Sequence, residues 1–219
     1  TDAPDITSLT ATTSMREAFK NTAIVNLDLS NWTNTGNISG SQAFYQTFNT
    51  LPNLLTLNLT GWDTSNIIGA SAFGACGDAT SGCIFTLPDL DFSACTSINS
   101  AFAYAAINTI DVSGWTLRAA GVDCASLFLQ ADGASGETYT IDLSSWTNTS
   151  GITSMSGFAR DQDELTSINL TGWSTSSITT WLLGFYHCDE LTEIIGLNGL
   201  TGAGLTGTAL KTTFSDCDK

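Results

Sequence analysis

The sequence predicts an α/β repeat solenoid of about seven coils of about 28 residues, with a parallel sheet on one side and short helical or 3-10 turns on the other. Three observations predict it. An apolar triplet spaced three and then two residues apart recurs along the chain, a tryptophan follows most copies three residues later, and a phenylalanine follows the tryptophan. The triplets read Ile24/Leu27/Leu29, Leu54/Leu57/Leu59, Leu87/Leu90/Phe92 and Ile107/Ile110/Val112. They continue as Thr138/Ile141/Leu143, Leu165/Ile168/Leu170 and a degraded Leu191/Ile194.

Within each coil the elements follow in order. Alternation in Leu57-Asn58-Leu59-Thr60 has a period of two, which predicts a short strand with its leucines inward and its Asn and Thr outward. A Gly or Asn before the tryptophan turns the chain, as at Asn31, Gly61, Gly114 and Gly172. The next register holds Trp32, Trp62, Cys95, Trp115, Trp146 and Trp173. The segment that ends in Phe44, Phe73, Phe102, Phe128, Phe158 or Phe185 has the character of a short helix or 3-10 turn, and Phe19 and Phe214 carry that register to both ends. One coil cannot bury its own apolar face, so neighbours must stack, with columns of Trp and Phe inside. The whole chain is therefore expected to form one domain over residues 1–219: a partial coil at 1–22, repeats at 23–190 and a capping coil at 191–219.

The repeat "LxxLxLSxW", followed by "TSxI" and then "FxxC", resembles the leucine-rich repeats of BspA-type bacterial surface proteins, a group also encoded by bacteriophages. Leu57, Leu59, Trp62, Asp63, Thr64, Ser65, Phe73 and Cys76 carry the resemblance in the best copy, and it runs from about Ile6 to Cys217. Cys95 departs from it by replacing Trp, and the step from Leu90 to Ile110 is short. The resemblance implies a leucine-rich-repeat solenoid displayed on an outer surface, acting in adhesion or structural binding to a protein or glycan on a cell, or to virion subunits. A bacteriophage virion or decoration protein with a purely assembly role is the alternative it leaves open.

Charge narrows the partners. With 21 acidic against 6 basic residues the chain carries a net charge of −15, and Arg16, Lys20, Arg118, Arg160, Lys211 and Lys219 are scattered. Phosphate neutralisation needs clustered cations, so nucleic acid is not expected, and an anionic membrane would repel the surface. No apolar run approaches the roughly 20 residues of a membrane span. The start at Thr1 fits removal of a signal or trimming of Met equally, and an extracellular, cell-surface or virion-surface location is expected.

Chemistry is sparse. His187 in "HCDE" is the one histidine, and adjacent residues of an extended segment do not converge on an ion, so no metal or other cofactor and no catalytic residue is expected. One row tests that expectation. The outward position between the strand leucines reads Asp28, Asn58, Asp91, Asp111, Asp142 and Asn169, and carboxylates on strands about 4.8 Å apart would repel or recruit a divalent cation. Such a row also allows general acid catalysis on saccharides through Asp91 or Asp111. Threonines after the tryptophans (Thr33, Thr64, Thr147 and Thr175) offer a third reading, an ice-binding solenoid with stacked outward hydroxyls.

Departures from the repeat mark the expected contact surfaces. They are the loop 77–86, with Asp78, Thr80 and Ser81, and the insertion 129–139, with Gln130, Asp132, Ser135 and Glu137. Six cysteines lean towards an oxidising compartment. Cys76 with Cys83, Cys95 with Cys124, and Cys188 with Cys217 are the candidate disulfide pairs, reduced buried thiols being the other reading.

Overall fold

The computed structural model describes residues 12–133, 138–196 and 210–217. Over these the chain winds as a parallel β-solenoid of about six turns with almost no helix. Seven strands stack along it: β1 (Asn26–Asp28), β2 (Thr56–Asn58), β3 (Cys83–Thr86), β5 (Ile107–Asp111), β8 (Tyr139–Asp142), β10 (Leu165–Asn169) and β11 (Glu193–Ile195). They hydrogen-bond in two runs, β1-β2-β3-β5 and β8-β10-β11. Four shorter strands mark further corners of the coil, β4 (Asp91–Phe92) beside β6 (Thr116–Leu117) and β7 (Val122–Asp123) beside β9 (Ile152–Ser154). Among the described residues no helix is long and apolar enough to cross a membrane.

Register follows the inward residues. Leu27 lies opposite Leu57, Leu57 opposite Phe85 and Phe85 opposite Ile110; in the second run Ile141, Ile168 and Ile194 align. This corrects the third triplet: Phe85, not Leu90, is its middle member. Cys83, Phe85 and Leu87 are buried while Ile84 is exposed, the alternation a strand requires. The steps from Leu57 to Phe85 and from Phe85 to Ile110 then both approach the repeat length. Leu90 and Phe92 are also buried, but at the corner that β4 occupies, which is why they imitate the strand pattern. Likewise Tyr139, not Thr138, leads β8, opposite Leu165.

Two aromatic columns fill the interior. Trp32 stacks on Trp62 at 6.0 Å, and Trp115, Trp146 and Trp173 continue at 5.0 and 5.6 Å. Four of the indoles also tie their coil to the one before. Nε1 of Trp62, Trp115, Trp146 and Trp173 donates to the carbonyl of Leu29, Leu87, Val112 and Leu143 respectively. In the coil that β3 opens, Phe92 rather than Cys95 lies against the column, edge-on to Trp115 at 4.9 Å. The second column runs Phe19, Phe48, Phe73, Phe102 and Phe128, with spacings of 5.5, 5.6, 4.9 and 5.3 Å and nearly parallel rings. Phe48 holds the place expected for Phe44, which packs edge-on to both Phe48 and Phe73.

Turns, not helices, carry this Phe column. The second residue after the column phenylalanine is left-handed in most coils: Asn21, Thr50, Ala75, Tyr104, Gln130, His187 and Asp216 have φ between 45 and 63°. Side chains at that corner project from the stack, so their size shapes its surface. The described 3-10 turns, Thr35–Asn37 and Thr149–Gly151, lie instead just after Trp32 and Trp146. In the last coil Phe214 stacks on Phe185 at 5.7 Å, extending the column to residue 214.

Candidate functional site

The expected carboxylate row does not form. Thr86 occupies the third place, so the first run reads Asp28, Asn58, Thr86, Asp111, while in the second Asp142 faces Asn169 and Asn169 faces Ile195. Asp91 pairs with Thr116 at a different corner. No paired register sets two carboxylates opposite each other, so the geometry that would recruit a divalent cation, or couple two acids for catalysis, is missing from these strands. All six candidates do something local instead. Oδ1 of Asp28, Asn58, Asp91, Asp111, Asp142 and Asn169 accepts the backbone N–H of Ser30, Thr60, Ser93, Ser113, Ser144 and Thr171, at 2.8–3.0 Å. These are Asx turns, which bend the chain from strand to tryptophan. The Ser30 N–H, with the Ser30 hydroxyl, also holds Asp28 below its ordinary pKa.

The threonine row divides in the same way. Thr64 and Thr175 are buried, whereas Thr33 and Thr147 are exposed, so the four share no outward face. Thr35 and Thr149 are the buried partners in their coils, accepting the N–H of Asp63 and Ser174, and Thr64 donates to the Asp91 carbonyl. The register is an internal one because a threonine hydroxyl satisfies a buried backbone group there.

Loop 77–86 is shorter than its sequence suggests, since Cys83–Thr86 is strand. Its exposed tip is Ala79, Thr80 and Ser81. Asp78 is a structural residue: its carboxylate accepts the N–H of Ser81 and Thr80, which lowers its pKa, and the Ser81 carbonyl is held by Asn108. In the insertion, Gln130 is exposed and its N–H bonds the Arg160 carbonyl. Asp132 is half-buried, and burial, together with the charges of Asp163 and Asp161, raises its pKa. Glu164 is raised likewise, by burial and then by Asp132. Ser135 and Glu137 lie outside the described residues. Tyr139 turns inward, its hydroxyl set between the Ala131 carbonyl and the Gln162 side-chain oxygen, while Gln162 donates to the Phe128 carbonyl.

In this structure Cys76, Cys83, Cys95, Cys124, Cys188 and Cys217 are free thiols. Four of them donate to backbone carbonyls: Cys76 to Phe48, Cys95 to Ser97, Cys188 to Ala159 and Cys217 to Phe185. Burial pushes Cys83 and Cys188 up to about 12 and Cys95 up to about 11. His187 sits 3.6 Å from Asp161 and 3.9 Å from Asp189. Among the described residues no group of three or more His, Cys, Asp or Glu is arranged to hold a metal ion.

What sequence reasoning missed is a cleft of about 450 Å³ across the Phe corners of the second to fifth coils. Gly74, Ala75 and Ala103 lie along it, with Tyr45 in the coil before and Tyr104 in the coil after Gly74; Asn49 and Asn99 also line it. Its signal in the sequence is a gap. Where other coils carry Lys20-Asn21, Asn49-Thr50 or Tyr186-His187 after the column phenylalanine, the third coil carries Gly74-Ala75.

No curated protein and no solved structure matches the chain. Over residues 7–81 and 96–199, a match that leaves out β3 and β4, the chain belongs to the family described as Mycoplasma protein of unknown function, DUF285.

Proposed function

We propose that the chain is a non-catalytic binding and structural module displayed on the outer surface of a bacterial cell or a virion. It contacts protein or glycan, with no nucleic acid, membrane insertion or cofactor involved. The observation that carries this reading is the cleft between Tyr45 and Tyr104, set on a stack whose recurrent polar side chains are already engaged in turns. Rigid repeats present extended surfaces of this kind, and departures from the repeat select the partner. The similarity of "LxxLxLSxW" to BspA-type leucine-rich repeats points to the same outer-surface role.

The test is antibody labelling of intact source cells and of purified particles, compared with lysed material. Display predicts labelling before lysis; labelling that appears only after lysis overturns it. Attachment of Thr80→Ala/Ser81→Ala and Tyr104→Ala variants then separates loop from cleft as the contact. A purely assembly role within a virion is favoured by one observation, the exposed Leu210 and Phe214 in the last described coil. It predicts labelling of particles together with end-to-end association of the purified chain.

A further inference from the structure

We propose that the cleft binds a neutral saccharide, with a sugar ring seated against Tyr104 above Gly74 and Ala75. This rests on the reading of the chain as a displayed binding module and names the ligand class of its cleft.

The hollow is built by side-chain size. The third coil places Gly74-Ala75 at a corner where the coils on either side present Asn49-Thr50 and Ala103-Tyr104. The column beneath is continuous, Phe48, Phe73 and Phe102 being stacked, so the floor is rigid. A Cβ on Gly74 would come within 2.9 Å of the Asn49 amide nitrogen, so the amide reaches its place because residue 74 has no side chain. The volume, about 450 Å³, falls within the range of small-ligand sites.

Charge selects the ligand class. The chain carries −15, yet no lining residue is charged. Two charges beside the lining stand behind amides and are occupied by them: Lys20 donates to Gln46 Oε1 at 2.6 Å, and Asp123 accepts from Asn99 at 3.3 Å. A cationic or anionic ligand would find no counter-charge inside the cleft. A neutral one finds polar groups with their orientation already fixed. Because Gln46 Oε1 accepts from Lys20 and Asn49 Oδ1 accepts from the Thr50 hydroxyl, both amide nitrogens remain as donors. The Tyr45 and Tyr104 hydroxyls have no hydrogen-bond partner among the described residues.

Ring faces supply the apolar component. Tyr104 is 57% exposed, with φ 63°, so it stands off the corner. The Arg16 guanidinium lies 5.1 Å from the Tyr45 ring centre and braces that wall. A pyranose has an apolar C–H face and a rim of hydroxyls, which matches aromatic rings bordered by amides. A proline-rich peptide also stacks on tyrosine, but it offers few groups to the row formed by Gln46, Asn49 and Asn99.

The experiment probes the full chain with an array of neutral hexose and N-acetylhexosamine oligosaccharides, sialylated and sulfated glycans and a proline-rich peptide, followed by calorimetric titration. The wild type should retain neutral glycans. Tyr104→Ala should weaken binding at least tenfold, and so should Ala75→His, whose side chain fills the hollow and takes the backbone conformation that His187 adopts. Melting curves of both variants should match the wild type. Retention of no glycan, of charged glycans only or of the peptide alone overturns the proposal, as does undiminished binding in both variants. Surface labelling of intact cells is unaffected by any of these results, so failure of the cleft and failure of the display reading are told apart.

Discussion

Nε1 of Trp146 donates to the carbonyl of Val112 at 2.8 Å, a bond between residues that stacking alone brings together. Trp146 is buried and lies between Trp115 and Trp173. Trp146→Phe keeps most of the ring but leaves that carbonyl without its donor, and should cost about 1–3 kcal/mol. Trp146→Ala also opens a cavity and should cost about 3–5 kcal/mol. Urea unfolding measures both. A Phe variant as stable as the wild type would show that the hydrogen bond contributes nothing beyond packing.

The Asx turns predict a different pattern at Asp142. Its Oδ1 accepts the Ser144 N–H at 2.9 Å, a role that Asn58 and Asn169 fill in their own coils. Asp142→Asn should therefore leave stability nearly unchanged. Asp142→Ala removes the acceptor and should cost on the order of 1 kcal/mol, as loss of a backbone-capping side chain does. A large loss in the Asn variant would mean that the negative charge itself is required.

The stack was legible in the sequence because its signal comes from what must be buried. Leu57, Trp62 and Phe73 recur for the same reason that they pack, and a period near 28 residues follows from them. Register within a coil was harder wherever two apolar residues competed. Phe48 displaced Phe44, and Phe85 displaced Leu90, although all four are buried, because periodicity reports burial and not which corner a residue occupies. The aspartates were visible as a row, yet their partners two residues on, Ser30, Ser113 and Ser144, already pointed to turns. The cleft was hidden because Gly74 and Ala75 mark it by lacking side chains, and small residues give periodicity nothing to detect.

Stability should follow pH in two limbs. Asp28 sits below its ordinary 3.8, held mainly by the Ser30 N–H, so its contribution is present above 3.8 and is lost as pH falls through the lower folded value. Asp132 and Glu164 are raised, first by burial, above 3.8 and 4.5. Their protonated forms favour the fold, so that stability is present below those values and is lost as pH rises through the raised ones. The Tm should thus climb as pH falls from neutral into the carboxylate range, then drop below 3.8. Asp132→Asn should flatten the upper limb. Calorimetry over this range decides, and a Tm that falls steadily from pH 7 downward would contradict the assignment.

Thiol titration checks the cysteines. Cys76, Cys83, Cys95, Cys124 and Cys188 are buried, and desolvation raises the pKa of each, which keeps the reactive thiolate scarce. Cys217 is partly exposed. Ellman's reagent should therefore react readily with Cys217 in the native protein and with all six thiols in denaturant. No reaction in denaturant without reductant would establish three disulfides instead.

Nearest-neighbour stacking makes its sharpest prediction about deletions. Leu27 and Leu57 occupy equivalent places in adjacent strands, so removing residues 27–56 joins Asn26 to Leu57 in register. Phe19 and Phe73, which stack on opposite faces of Phe48, would then meet each other. The shortened chain should fold as a monomer with parallel-sheet circular dichroism, because each coil depends only on its neighbours. It should also lose the cleft, since Tyr45 and Asn49 go with the deleted coil. Removing residues 27–46 instead shifts the strand, the Trp column and the Phe column out of phase together, and should unfold the N-terminal coils. Circular dichroism and light scattering on the pair separate register from mere length: if both deletions fold equally well, or both fail, the coils are not the independent units that the aromatic columns imply.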